Sequence, residues 1–134
     1  MVEEGLELLT EEECGGLLVT ARVGRVGVTV GGLPAILPVN FAFLNGDVFF
    51  RTGDGTKFRA ASGGAVIAFE VDAYDEGEQH GWSVLAIGRA EVVTDPAEIA
   101  DVDESVRTPW AGGQRNYLVR LRPELMTGRR IVRA

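Results

Sequence analysis

The sequence predicts a mainly β chain with short helices, folded as a closed or half-closed antiparallel barrel. Three observations carry this. Six or so apolar segments of strand length follow one another at short spacing, with small helical segments between them. Gly31-Gly32 and Asn45-Gly46 separate three of those segments, and such dipeptides favour tight hairpins because both positions accept positive φ. At 134 residues with 46% apolar content, the chain suits one domain, 1–134, with a core of its own.

The elements follow in order. Thr10 before Glu11, Glu12 and Glu13 reads as a helix N-cap, with Glu13 at the capping-box position. The helix runs to about Leu18 or Ala21, weakened by Gly15 and Gly16. Three antiparallel strands then span roughly 25–30, 34–44 and 47–52. Pro34 and Pro38, which lack an N–H, suit strand starts or a sheet edge. Residues 55–62 form one or two helical turns. A strand occupies 64–74, and a charged loop leads to a long strand over 82–94. Gly88 inside it marks a bulge or a close backbone approach. Asp95-Pro96 starts a helix at about 96–106, with Asp as cap and Pro at the first turn. The segment from Tyr117 reads as a strand ending at Pro123, followed by a short final strand.

Composition excludes several function classes. The net charge of −7 argues against general nucleic-acid or anionic-membrane binding, which need a basic surface. One cysteine, Cys14, cannot form an internal disulfide, which suits a reducing cytoplasm. With one Cys and one His, no structural metal site is expected. The acidic N-terminus does not have the pattern of a signal peptide, and no apolar run reaches bilayer length. The expectation is a soluble cytoplasmic protein.

Three stretches could carry chemistry. In "RTGDGTKF", Gly53 and Gly55 let main-chain amides turn toward an anion, while Thr52 and Thr56 add hydroxyls. Arg51 adds a planar fork and Lys57, the sole lysine, a point charge. The stretch is either a phosphate cradle or a solvated turn, and it lacks Walker-loop spacing. In "LPVNFAF", Asn40 interrupts an apolar strand, either as a satisfied structural group or as a reader of a flat heterocycle's edge. In "HGWSV", Trp82 is core or interface packing on the plain reading, and Ser83 beside it offers a donor. His80 reads as solvated, and one histidine gives no Ser-His-Asp triad. Carboxylates near Cys14 should raise its thiol pKa and keep it inert. Glu70 is expected to point inward and to pair with Arg89 on the next strand.

Taken together and in order, "GRVGV", "LPAILPVNFAF", "GDVFFRTGDGTKF", "VIAFEVD", "GWSVLAIGRAEVV", "PWAGG" and "VRLRPELMTGRR" resemble the pyridoxamine 5′-phosphate oxidase-like flavoproteins, in particular their small bacterial members. The resemblance implies a split β-barrel that binds FMN and acts by flavin hydride transfer on a small molecule. It also implies a homodimer with cofactor sites at the subunit interface. It places Arg51, Thr52, Thr56 and Lys57 around the phosphate, and Val39, Asn40 and Phe41 along the ring's polar edge. Trp82 and Ser83 complete the site, and Trp110 and Arg129 line its open side. The tail "TGRRIVRA" lacks the Arg-x-His segment of the vitamin-pathway oxidase, so oxidation of pyridoxamine phosphate itself is not expected. Alternatives on the same fold are a deazaflavin-dependent reductase or a non-catalytic flavin- or haem-binding protein.

Overall fold

The structure is a computed structural model that describes residues 2–3, 5–53, 59, 61, 63–103 and 117–131. Its strands are β1 (Val2–Glu3), β2 (Leu6–Leu9), β3 (Val23–Val30), β4 (Leu33–Leu44), β5 (Asp47–Thr52), β6 (Val66–Asp75), β7 (His80–Val93) and β8 (Tyr117–Ile131). Two helices, α1 (Glu11–Leu18) and α2 (Pro96–Asp103), cover parts of the outside. The strands join antiparallel in the order β8-β5-β4-β3-β6-β7, and β7 pairs back onto β8, so six strands close a barrel. This is the split β-barrel that the sequence predicts.

Local chemistry explains most of the boundaries. Thr10 caps α1 with its hydroxyl on the Glu13 amide, and the Glu13 carboxylate accepts from the Thr10 amide, a complete capping box. Asn45 and Gly46 both adopt positive φ, 52° and 85°, as the tight turn between β4 and β5 requires. Asp95 accepts from the Ala97 amide at the start of α2. The prolines of β4 sit where expected. β5 pairs with β4 only over Phe41–Leu44, and the Phe41 amide points to Arg22 on the β3 side. By alternation the missing donors of Pro34 and Pro38 fall on the open side of β4.

The core is the barrel interior. Phe50, Phe69, Val26, Val48, Val71, Val84, Val119 and Leu121 fill it, all below 2% exposed. Phe41 meets Phe69 edge to face at 4.8 Å between ring centres. A second apolar cluster lies outside the barrel, where Val102 of α2 covers Phe49, Val93 and Leu118.

Two expectations need correction. β8 does not end at Pro123 but runs unbroken to Ile131. Gly88 pairs with Pro123 and Ile87 with Leu125, so Glu124 is the extra residue of a bulge that absorbs the proline. Val119 and Leu121 face the core before the bulge, and Met126 does so after it, so the bulge shifts the inward parity by one. In addition, an N-terminal hairpin, β1–β2, lays β2 against the last residues of β8. The short acidic run "EEGLELL" had given no strand signal.

Gly88 is the expected close approach. A Cβ there would stand 1.9 Å from the Arg122 carbonyl oxygen, main chain that cannot swing aside. Gly88→Ala should cost about 3 kcal/mol, the upper end of the usual overpacking range. Gly16→Ala in α1, where nothing lies within 4 Å, should instead gain roughly 0.5–1 kcal/mol. Urea unfolding midpoints of the two variants, read against the unsubstituted chain, check both signs.

Candidate functional site

The barrel interior is packed with side chains, which leaves its outer wall to receive a ligand. Strand register orders that wall into transverse rows. One row is apolar throughout: Ile36, Gly27, Ala68, Ile87 and Leu125 stand side by side on β4, β3, β6, β7 and β8. Two residues along each strand the row becomes Pro38, Arg25, Glu70, Leu85 and Thr127. Two residues further it becomes polar. Asn40 pairs with Val23, Asp72 with Ser83, Ser83 with Arg129, and Arg129 with Leu8. Phe41 pairs with Phe50, so one more step of register sets Arg51 of β5 level with Asn40. Pairing between β4 and β5 stops there, and Arg51 and Asn40 flank the point where the strands part.

Four of the residues singled out from sequence therefore share one outward row: Arg51, Asn40, Ser83 and Arg129. Val39 and Phe41 alternate with Asn40 and point inward, 6% and 3% exposed, so they serve the core and present no side chain to this row. Thr52 is buried at the barrel end, where its hydroxyl donates to the Gly53 carbonyl at 3.1 Å. Trp82 is half-buried and packs against the core cluster. Thr56, Lys57 and Trp110 lie outside the described residues.

On the other flank of Arg51, toward β8, a cleft of about 610 Å³ opens. Arg51 and Ala61 line it together with Glu91–Thr94 of β7 and its end, Ile99 of α2, and Tyr117 and Leu118 of β8. Sequence reasoning did not find this cleft, since its lining comes from segments far apart in the chain. Its wall is held by Arg120. That side chain is 8% exposed, contacts Glu91 at 3.2 Å, Glu98 of α2 and Asp47 at 3.7 Å, and lies over the Phe49 ring at 5.4 Å. Burial pushes the Asp47 carboxyl up, against the pull of Arg120.

Three further groups are settled by their surroundings. Glu70 faces outward and pairs with Arg25 of β3 at 3.3 Å, not with Arg89. Its chain neighbours Phe69 and Val71 are the inward ones, while Arg89 reaches Glu124 and the Gly64 carbonyl. The Cys14 thiol is raised as expected, but burial is the larger cause and Glu13 and Glu11 add to it. It is fully buried, and a side chain on Gly128 would meet its Sγ at 2.6 Å, so the thiol packs α1 against β8. His80 is exposed and pairs with Glu78 at 3.0 Å. With Asp75 it forms an exposed group whose ligand atoms lie within 4.8 Å, as solvated acidic turns do without an ion. No helix among the described residues is long and apolar enough to cross a membrane.

Comparison with known proteins follows the same lines. The protein family described as pyridoxamine 5′-phosphate oxidase matches residues 10–130. An uncharacterized Mycobacterium tuberculosis protein is 36% identical over 129 residues, covering 92% of this chain and 84% of that one. The solved FAD-binding protein of Mycobacterium smegmatis is 37% identical with a TM-score of 0.79, covering 92% of this chain and 98% of that one. A Corynebacterium glutamicum structure, named provisionally as a pyridoxamine 5′-phosphate oxidase, is 28% identical with a TM-score of 0.82, covering 100% and 99%.

The middle row of the wall carries a pH signature. Burial, then the neighbouring Asp72, raises the Glu70 carboxyl from 4.5 to about 7, while Arg25 opposes the shift. Between those values the folded chain keeps a proton that the unfolded chain has released, so Glu70 makes stability fall as pH rises. Glu70→Gln should flatten that fall between pH 5 and 7.5. Denaturant midpoints across this range test it; parallel curves for the two proteins would show that Glu70 titrates normally.

Proposed function

We propose, from the premise that the chain belongs to the pyridoxamine 5′-phosphate oxidase family, that it is a flavin-dependent oxidoreductase whose cofactor lies along the polar row of the barrel's outer wall. The observation that carries the reading is that row. Along one register line that crosses the six strands of the outer wall it carries a guanidinium (Arg51), an amide (Asn40), a hydroxyl (Ser83) and a second guanidinium (Arg129), with Val23 and Asp72 between Asn40 and Ser83. These donors fit a flavin nucleotide. Arg51 suits the phosphate, for which a guanidinium offers paired N–H donors. Asn40 suits the carbonyl and N–H pattern of the pyrimidine edge, since its amide both donates and accepts. When bound, the flavin supplies the hydride chemistry, and the protein supplies binding, orientation and electrostatics. Donors along the row favour negative charge on the ring. No general base is required of the chain, in keeping with the exposed, Glu78-paired His80.

Flavin is favoured over haem by ligand placement. The chain's one histidine and one cysteine are poorly placed as axial ligands: His80 sits on an exposed turn and Cys14 is sealed beneath α1. FMN is the smallest flavin that uses Arg51, and a deazaflavin is the runner-up. Recording the visible spectrum of the purified protein, then titrating FMN and riboflavin, tests the reading. Saturable FMN binding is expected. Arg51→Ala should weaken it by about 1.5–3 kcal/mol and leave riboflavin nearly unchanged. A protein that binds no flavin would sink the proposal.

A homodimer completes the reading. Ile36 is 75%, Val66 54% and Leu125 52% exposed on the wall, beyond the Arg25–Glu70 row. A second copy seated on this apolar belt would bury it and cover the cofactor's outer face. Leu125→Glu, at an exposed position, should convert a dimer into monomers without loss of fold, as read by sedimentation velocity and circular dichroism. An unchanged sedimentation coefficient would move the interface elsewhere.

A further inference from the structure

A second cleft lies where β8 has a strand on one side only. β5 pairs with β8 as far as Leu121 and β2 from Gly128 onward, so over Arg122–Thr127 β7 is its one strand neighbour among the described residues. The first turn of α1 and the Asn45-Gly46 turn border this gap, and a cleft of about 380 Å³ opens between them. That volume falls within the range of about 300–1,000 Å³ typical of small-molecule sites. Half-buried Phe43, Met126 and Pro123 give the cleft an apolar floor, and exposed Glu11, Glu12 and Glu124 give it an acidic rim. We propose that this cleft binds a small organic cation, an amine with an apolar body. It shares no residue with the polar row, and the proposal does not depend on the flavin reading.

The rim's charge is not spent within the chain. None of the described lining residues is cationic. Glu124 meets Arg89 at 3.9 Å with both side chains mostly exposed, and such a pair contributes little. Glu13 is the carboxylate that the helix itself uses, since it accepts from the Thr10 amide, and this leaves Glu11 and Glu12 to a ligand. An ammonium group donates hydrogen bonds and accepts none, so it suits a rim of acceptors. Pro123 adds a carbonyl to this stretch of β8 and no N–H. The ligand's apolar body would cover Met126 and Phe43, whose ring also attracts a cation. Two glycines shape the space. A Cβ on Gly15 would stand 3.2 Å from the Phe43 ring, so the missing side chain lets that ring lie close under α1. A Cβ on Gly46 would meet nothing within 4 Å, so the cleft is open on that side. An anionic ligand would face three like charges.

The test is a calorimetric titration of the purified protein with three probes of similar shape: phenethylamine, 2-phenylethanol and 3-phenylpropionate. Phenethylamine, protonated at neutral pH, should bind saturably at one site and at least about tenfold more tightly than the alcohol, and the carboxylate should not bind. The double variant Glu12→Gln/Glu124→Gln should weaken amine binding at least about tenfold. Glu76→Gln/Glu78→Gln takes the same number of charges from the exposed β6–β7 turn and should leave the affinity as it was. Circular dichroism melting reports on the fold of each, and Glu11→Gln/Glu124→Gln gives the same readout should the first pair not fold. Absence of saturable phenethylamine binding would overturn the proposal, as would equal affinity for the amine and the alcohol. Equal weakening by the cleft and turn variants would overturn it too, since the amine would then answer to the chain's net charge of −7 and not to the cleft.

Discussion

The closure of β7 onto β8 is the constraint on which the rest depends. It is the longest ladder in the molecule, running from Gly81–Ile131 to Val93–Leu118, and without it the six strands would form an open, curled sheet. Its weak point is also its pivot. Gly88 lets the Arg122 carbonyl come within 1.9 Å of where a Cβ would be, and Glu124 bulges out opposite. Because the side-chain period of a strand is 2, one extra residue exchanges inside and outside for everything that follows. The bulge thus keeps Met126 inside while turning Arg129 outward, level with Ser83. The polar row exists in its present form because that parity changes.

A second constraint acts at the other end of the ladder. Arg120 lies before the bulge, on the outward parity, yet it is buried because α2 covers it. Burying a guanidinium is costly unless its charge is met, and here Asp47, Glu91 and Glu98 meet it from β5, β7 and α2. Removing any one partner leaves the others, whereas removing Arg120 would leave three carboxylates facing one another. The arrangement ties a short helix, described over Pro96–Asp103, to three strands. The cleft beside Arg51 is the space that this tie leaves between α2 and the barrel.

Much of this was legible in the sequence, and the gaps have physical causes. The capping box at Thr10, the Asn45-Gly46 turn and the close approach at Gly88 were readable because each depends on a residue and its near neighbours. The continuity of β8 was not, since Pro123 reads locally as a stop and only the opposite strand's glycine makes room for the bulge. Glu70 was assigned to Arg89 because the two lie on adjacent strands. Register decides otherwise: Glu70 stands opposite Leu85, and across the other edge it meets Arg25. Of the site, Arg51, Asn40, Ser83 and Arg129 were named from sequence, but that they share a register line is a property of five separate strand pairings. Val39 and Phe41 were named with them as neighbours of Asn40, and alternation sends their side chains to the core.

On the proposed reading, the three stacked rows would join cofactor binding to assembly. A ring laid on an outer wall has protein on one face only, so water is excluded from the other face only if something covers it. The apolar row two steps along the strands, Ile36 to Leu125, is a surface that gains from being covered. Between the two lies the Arg25–Glu70 pair, whose carboxyl already resists ionisation in the single chain. Covering the belt with a second copy would desolvate that pair further and strengthen its internal attraction at the same time. Whatever buries the belt thus also changes the dielectric beside the polar row. If a second copy covers the belt, cofactor affinity and self-association would be linked reciprocally, each favouring the other by the same free energy.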